Sequence, residues 1–317
     1  MMFSPGKPDW TRERSRWPHS DASRFIRAGG LEWHVQVAGE GPDLLMAHGT
    51  GAAGMSWRDL FGPLSRRFRV IVPDLPGHGF TQTPPVGGLS LPGMSRLLGE
   101  LLGALGASPA LAVGHSAGAA ILCRMALDGR IAPGAVVAFN GAFLPFKGMA
   151  GQVFPPLARL LVLNPIAPRF FALGAVTDPA SIERLILGTG SRLDPAGLAL
   201  YRRLIRAPGH VAAALRMMAS WDLAPLVADL PRLGPPLTLA VGTADRAVDP
   251  AEAREIAARV PGARVVALPG LGHLAHEEDP ARALALIAEA AAGTTRPQGG
   301  GGPDAREDAD TNEKARQ

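Results

Sequence analysis

The sequence predicts an α/β fold with a mostly parallel central sheet covered by helices on both faces. Short apolar runs alternate with amphipathic helical stretches along most of the chain, joined by Gly/Pro loops, as repeated strand–helix crossovers require. At 317 residues, with 47% hydrophobic and 19% charged content, the chain is long and apolar enough to bury such a sheet on both sides. The alternation breaks once, between residues 142 and 224, where only helical patterns occur.

Residues 1–22 lack sustained apolar periodicity and read as a flexible arm. SRFIRAGGLEWHVQVAG, residues 23–39, predicts a hairpin turning at Gly29-Gly30. DLLMAHG is a short buried strand, followed by a helix around Trp57–Arg67. FRVIVPD is a strand, LPGMSRLLGELLGAL an amphipathic helix, ALAVGHS a strand, and SAGAAILCRMAL a helix of small apolar residues. GAVVAFN, LTLAVG and ARVVALP are further strands. PPLARLLVL, SIERLILG, LALYRRLI and VAAALRMM make residues 142–224 an all-helical insertion ahead of LTLAVG. It reads as a cap over the strand ends, where open α/β sheets bind ligands. The core is then residues 23–141 and 225–292, and residues 293–317, rich in Gly, Asp and Arg, read as a disordered tail.

The net charge of +4 comes from arginines scattered singly, since lysine occurs only at Lys7, Lys147 and Lys314. With no basic block interleaved with aromatics, these read as solvated surface positions and not as a nucleic-acid footprint. The single Cys123 excludes an intrachain disulfide and agrees with a reducing compartment. The first residues lack the apolar segment of about 7–15 residues that a secretory signal needs. No run reaches about 18 uninterrupted apolar residues. The expectation is a cytoplasmic protein without a transmembrane segment.

Gly114-His115-Ser116-Ala117-Gly118 ends an apolar strand and opens a helix. That context suits a sharp turn carrying an exposed nucleophilic serine, with glycines letting strand and helix approach. A serine needs a base within hydrogen-bond reach. Of the eight histidines, His19 lies in the arm, His34 on a strand read as peripheral, His48 and His78 in glycine loops, His115 in the motif and His210 in the cap. His273, in the Gly-rich loop of GLGHLAHEE, is the candidate base; His276 enters the next helix. The spacing of the two is not a zinc pattern, and no third ligand is apparent. Asp245 lies in the loop directly after the strand LTLAVG and is the candidate orienting acid, with Asp249, read as a helix N-cap, as the fallback. Negative charge on the attacked carbonyl oxygen calls for two N–H donors. Ala117, next after the serine, supplies one, and Thr50 in HGTGAAG the other. A phosphate-binding reading of HGTGAAG fails for want of a following Lys-Ser/Thr.

The order Ser116, Asp245, His273 resembles the α/β-hydrolase superfamily over residues 24–292. PDLPGHGFT, with Asp74 and Gly77-His78-Gly79, looks like the structural loop that follows the fourth strand in that superfamily. Related dehalogenases and epoxide hydrolases use an Asp where this chain has Ser116. HGTGAAGMSWRDL, PDLPGHGFT, LPGMSRLLGELLGALG, VGHSAGAAILCRM, LDPAGLALYRRL and LPGLGHLAHEE further resemble the magnesium-chelatase accessory proteins encoded with bacteriochlorophyll biosynthesis enzymes in phototrophic bacteria. That resemblance implies a role near magnesium insertion into protoporphyrin IX, with magnesium-chelatase subunits or porphyrin intermediates as partners, and a place in the cytoplasm or at the periphery of the photosynthetic membrane. It implies neither a bound metal nor a cofactor. FPPLARLLVLNPIAPRFFALGAV, charged only at Arg159 and Arg169, reads first as a cap packing on its own core. It reads second as a pocket lining, or a surface for a membrane or partner enzyme, with arginine available for a tetrapyrrole propionate. Two functions remain open: a serine hydrolase acting on an ester or related acyl group of a hydrophobic molecule, and a non-catalytic porphyrin-binding accessory protein.

Overall fold

The computed structural model describes residues 6–85, 87–145, 167–178 and 180–294. Eight strands form one sheet in the order β1-β2-β4-β3-β5-β6-β7-β8. They are β1 (Ser23–Ala28), β2 (Leu31–Ala38), β3 (Asp43–Ala47), β4 (Arg69–Pro73), β5 (Pro109–His115), β6 (Val136–Phe139), β7 (Leu237–Gly242) and β8 (Arg264–Leu268). β2 pairs antiparallel with β1 and β4, and the other pairs are parallel. The β1–β2 hairpin closes with Ala28 opposite Leu31, so Gly29 and Gly30 are its two turn residues, at φ 58° and 73°.

The central strands read as continuous apolar runs because both of their faces are covered. Leu45 and Ala47 of β3 face one apolar cluster with helices α3 (Leu91–Ala104) and α4 (Ala117–Leu127). Leu44 and Met46 face the other, with helix α2 (Arg58–Ser65) and the helix Pro280–Thr294. Successive side chains point to opposite faces of a strand, so a single run feeds both layers. The predicted helix around Trp57–Arg67 is shorter as an α-helix, because Gly54–Trp57 winds as a 3-10 turn first.

The insertion before β7 is helical among the described residues, with Ala167–Thr177, Ser181–Gly188, Pro195–Ile205, Pro208–Ala219 and Ala224–Asp229. PPLARLLVL, with Arg159, lies outside the described residues, and Arg169 is exposed. The cap meets the core in a third apolar cluster, where Ile182, Ile186, Leu200 and Leu204 contact Ala52, Met55 and Phe80. A polar clamp adds to it. Arg58 donates to Glu277 at 2.7 Å and to Asp194 at 3.1 Å, and the Tyr201 hydroxyl donates to Glu277 at 2.6 Å. Arg58 thus departs from the expectation of solvated arginines, since three carboxylates, Asp59 included, surround it.

The arm also departs from expectation. Residues 6–22 are packed, because Trp17 is buried in the third cluster and the Trp10 ring lies 4.9 Å from Phe80 and 5.0 Å from His34. Lys7 donates to the Gly77 carbonyl, and the Gly209 N–H donates to the Gly6 carbonyl at 2.7 Å. Burying two tryptophans and a lysine stem offsets the ordering entropy that composition alone made look prohibitive. The last helix runs to Thr294, two residues into the predicted tail; residues 295–317 lie outside the described residues. Among the described residues no single helix is long and apolar enough to cross a membrane.

Asp74 fixes the loop after β4. Its Oδ1 accepts from the Gly54 N–H at 2.7 Å, and its Oδ2 accepts from Phe80 N–H and from His34 Nδ1, each at 2.9 Å. Burial by itself raises the Asp74 carboxyl, but the charge and hydrogen bond of His34 outweigh it and hold it at about 2, below its ordinary 3.8. Position 79, at φ 48°, takes glycine, since a Cβ there would lie 2.1 Å from Asp74 Oδ2.

On acidification the unfolded chain takes up the Asp74 proton first. Its stabilisation is therefore complete above pH 3.8 and lost as pH falls toward 2. Asp74→Asn is expected to cost on the order of 2 kcal/mol at neutral pH and to flatten stability against pH in that window, read from urea midpoints. Gly118→Ala would place a Cβ 2.1 Å from the Ala47 carbonyl oxygen. It is expected to destabilise the protein by about 1–3 kcal/mol in urea unfolding.

Candidate active site

Four neighbouring strands end at the same edge of the sheet, and each delivers one part of the site. β5 runs into Ser116, which lies at φ 51° and ψ −119° immediately before α4. Such a backbone costs a non-glycine residue about 1–3 kcal/mol, so the surroundings must impose it. They do so through close approach of strand and helix. A Cβ on Gly114 would lie 2.5 Å from Ala119 Cα, which leaves glycine as the only residue that fits. The Ser116 N–H donates to the Phe139 carbonyl at 3.0 Å, and its own carbonyl accepts from Ala119 and Ala142. The side chain sits half-buried at the top of the turn.

β6 ends in Asn140, which with His19 and Ser116 completes the non-glycine residues of positive φ among those described. Its Nδ2 donates to Asp245 Oδ2 at 2.8 Å. Asp245 follows β7 and is buried. Its Oδ1 accepts from the N–H groups of Ala247 at 2.8 Å and Val248 at 3.0 Å, and its Oδ2 accepts from His273 Nδ1 at 2.8 Å. Four donors on one carboxylate fix its plane and keep it an acceptor for the imidazole. His273 lies in the loop after β8, with its side chain 12% exposed. With Nδ1–H committed to Asp245, Nε2 is the ring nitrogen left for chemistry.

The His273 loop is gripped from both sides. The His115 Nε2–H donates to the His273 carbonyl at 2.9 Å, and the two rings lie 4.8 Å apart. From the cap side, the Thr189 carbonyl accepts from the N–H groups of both His273 and Arg246, and Ser191 Oγ accepts from the Leu274 N–H. A Cβ on Gly272 would lie 2.3 Å from the Gly190 carbonyl carbon, so this clamp needs glycine. Among the described residues no hydrogen bond joins Ser116 Oγ to His273. That contact is the one the structure leaves open, and such bonds often tighten only with substrate present.

The loop after β3 faces Ser116. A Cβ on Gly49 would lie 3.0 Å from Ser116 Cβ and 2.8 Å from His115 Nδ1. Below it, the Leu75 N–H donates to His48 Nε2 at 2.9 Å, so the ring proton resides on Nδ1, which donates to the Gly49 carbonyl at 2.8 Å. A trans peptide directs its N–H opposite its carbonyl. Anchoring the Gly49 oxygen on His48 therefore orients the Thr50 N–H away from the core. Neither Thr50 nor Ala117 donates its N–H to another described residue.

A sequence model described as the alpha/beta hydrolase family matches residues 44–286. The chain belongs to the alpha/beta hydrolase family. It is 43% identical over 267 residues to the magnesium-chelatase 30 kDa subunit of Rhodobacter capsulatus, covering 83% of this chain and 92% of that protein. It is 29% identical to haloalkane dehalogenase 2 of Mycobacterium tuberculosis over 89% of this chain and 98% of the relative. Its structure resembles that of a thermophilic esterase from Thermogutta terrifontis with a TM-score of 0.67 at 26% identity, covering 86% of this chain and 97% of the other.

Asp249 and His34 fall elsewhere than expected, and His276 enters the helix Ala275–Glu278 as expected. Asp249 lies exposed and accepts from the Ala251 N–H at 2.9 Å, in the turn before the helix Glu252–Ala257, whose N-cap is Ala251. His276 is a core residue between Trp57 at 4.4 Å and His115 at 4.5 Å, and burial pushes its pKa down to about 3. His34 is fully buried, not peripheral, because β1 and the arm cover β2. It forms a second serine–histidine–aspartate row, with Ser23 Oγ at 2.9 Å from Nε2 and Asp74 at 2.9 Å from Nδ1. Trp10, Phe25 and Phe80 surround that imidazole, and Ser23 sits in extended backbone at the start of a strand. It lacks the open turn and the helix N-terminus that Ser116 has.

Sequence reasoning missed Asn140, although an asparagine closing an apolar strand at the ligand-binding edge was a usable signal. It also missed the bracing by His48, His115 and Thr189, for which no sequence signal existed. Asn140→Ala leaves Asp245 with one donor fewer and is expected to slow fluorophosphonate labelling of Ser116 about tenfold, followed by intact-protein mass spectrometry.

Proposed function

We propose that this chain is a serine hydrolase acting on an ester or similar acyl group of a hydrophobic substrate. The observation that carries the reading is the His273–Asp245 hydrogen bond of 2.8 Å beside a serine held at positive φ at the head of α4. Ser116 Oγ attacks the acyl carbon while its proton passes to His273 Nε2. Asp245 holds the tautomer and stabilises the imidazolium that forms. The N–H groups of Thr50 and Ala117 bind the oxyanion. His273 then returns the proton to the departing alkoxide or amine, leaving an acyl-enzyme. Water, deprotonated by the same imidazole, cleaves that ester and restores Ser116.

The likeness to the magnesium-chelatase 30 kDa subunit supports a place at or near the chelatase step of bacteriochlorophyll synthesis, in the cytoplasm or against the photosynthetic membrane. The same likeness favours a second reading. A relative named as a chelatase subunit, together with the open Ser116–His273 contact, suits a non-catalytic accessory protein that retains a hydrolase site.

One pair of measurements separates the two. Under the hydrolase reading a fluorophosphonate labels Ser116 and leaves Ser23 unlabelled, and Ser116→Ala lowers ester hydrolysis by at least about 10³-fold. Cells carrying only Ser116→Ala then accumulate the pigment intermediate that precedes the blocked step. Normal pigment in those cells, with no labelling of Ser116 in the wild type, would select the accessory role.

A further inference from the structure

The cap helix Pro208–Ala219 lies on the loop that carries Thr50. Near its start, His210 Nδ1 accepts from the Gly79 N–H at 3.0 Å, so the ring proton of the neutral imidazole sits on Nε2. Nε2–H in turn donates to the Gly51 carbonyl at 3.0 Å. About two turns along the same helix, the Thr50 hydroxyl donates to Met217 Sδ at 3.5 Å. Between them, Ala213 sits against Gly77, where a Cβ would lie 2.7 Å from the alanine methyl. One face of a single cap helix thus reaches the two consecutive residues Thr50 and Gly51, while His48 holds Gly49 from the core side.

We infer that His210 is a positioning residue for the oxyanion loop, through which the seating of the cap sets the direction of the Thr50 N–H. The loop needs such a second anchor. Gly51 stands at φ 78°, and a Cβ there would meet nothing within 4 Å, so no packing holds it from that side. Its carbonyl is held instead by a group on the cap. The His210 ring is buried, and burial, with the Lys7 charge adding to it, pushes its pKa down to about 3. It therefore stays a one-donor, one-acceptor bridge across the neutral range. Met217 alone would be a weak substitute, because a thioether accepts poorly. A small displacement of an oxyanion donor lowers the turnover rate, whereas it leaves ground-state binding nearly untouched.

The inference rests on the hydrolase reading, so wild-type labelling at Ser116 and wild-type turnover of a p-nitrophenyl acyl ester are measured first. Their absence removes that reading and the inference with it. Given an active wild type, His210→Gln, His210→Asn and His210→Leu are compared for kcat, KM and thermal midpoint. Glutamine offers an acceptor and a donor at the reach of the two ring nitrogens. Asparagine is too short to span Gly79 and Gly51, and leucine bonds neither. Asparagine and leucine are expected to lower kcat about 10- to 100-fold with KM within about twofold, and glutamine to restore most of kcat. An unchanged kcat in the leucine variant, an effect confined to KM, or a loss in glutamine equal to that in leucine would overturn the inference. If the leucine variant does not fold, the glutamine–asparagine pair is read by the same outcomes.

Discussion

The close approach of β5 and α4 at Ser116 is the constraint from which the rest of the site is built. At Gly114 and Gly118 a methyl group would lie within 2.5 Å of backbone atoms, so only two glycines at this spacing let the strand turn directly into the helix. The turn in turn forces Ser116 to φ 51° and lifts its hydroxyl above the strand ends. It also puts the first N–H of α4 beside that hydroxyl, where the positive end of a helix favours developing negative charge. The strain is carried by two largely buried elements, of which β5 contributes apolar residues to both faces of the sheet.

The described residues hold two serine–histidine–aspartate rows, and their surroundings differ. Ser23, His34 and Asp74 have the complete chain of contacts, each at 2.9 Å. Yet tryptophan and phenylalanine rings enclose the imidazole, and Asp74 spends its other contacts tying two loops to the core. The row at Ser116 is incomplete by one hydrogen bond. It has instead a serine in a strand–helix turn, two backbone donors without partners among the described residues, and a carboxylate held by four donors.

The cap is coupled to the chemistry by main-chain contacts as much as by apolar burial. Thr189 accepts from the His273 and Arg246 N–H groups, Ser191 from Leu274, and His210 donates to Gly51. The loops of His273 and Asp245 are therefore both fastened to the segment Thr189–Ser191, and the loop of Thr50 to the helix Pro208–Ala219. Arg58, Tyr201 and Glu277 add a buried polar tie, in which burial raises the Glu277 carboxyl to about 7 against the pull of Tyr201 and Arg58. A movement of the cap would be felt at three sides of Ser116 at once.

The sequence by itself determined the strand–helix alternation and the glycine-flanked serine, and it singled out Asp245 and His273, which the structure brings within 2.8 Å of each other. Each of these is written in short-range pattern: apolar periodicity, glycine where Cβ cannot fit, and a polar residue directly after a buried strand. Which polar groups bond across hundreds of residues was decided only by the tertiary structure. Asn140 reaches Asp245, His48 orients Thr50 from beneath, and a cap histidine reads in sequence no differently from a surface one. The arm was misread for the same reason, since Trp10, Trp17 and Lys7 gain their partners only once β2, the loop after β4 and the cap have come together. Local propensity is a property of neighbours along the chain. The hydrogen bonds that orient this site depend on neighbours in space, and no spacing in the sequence encodes them.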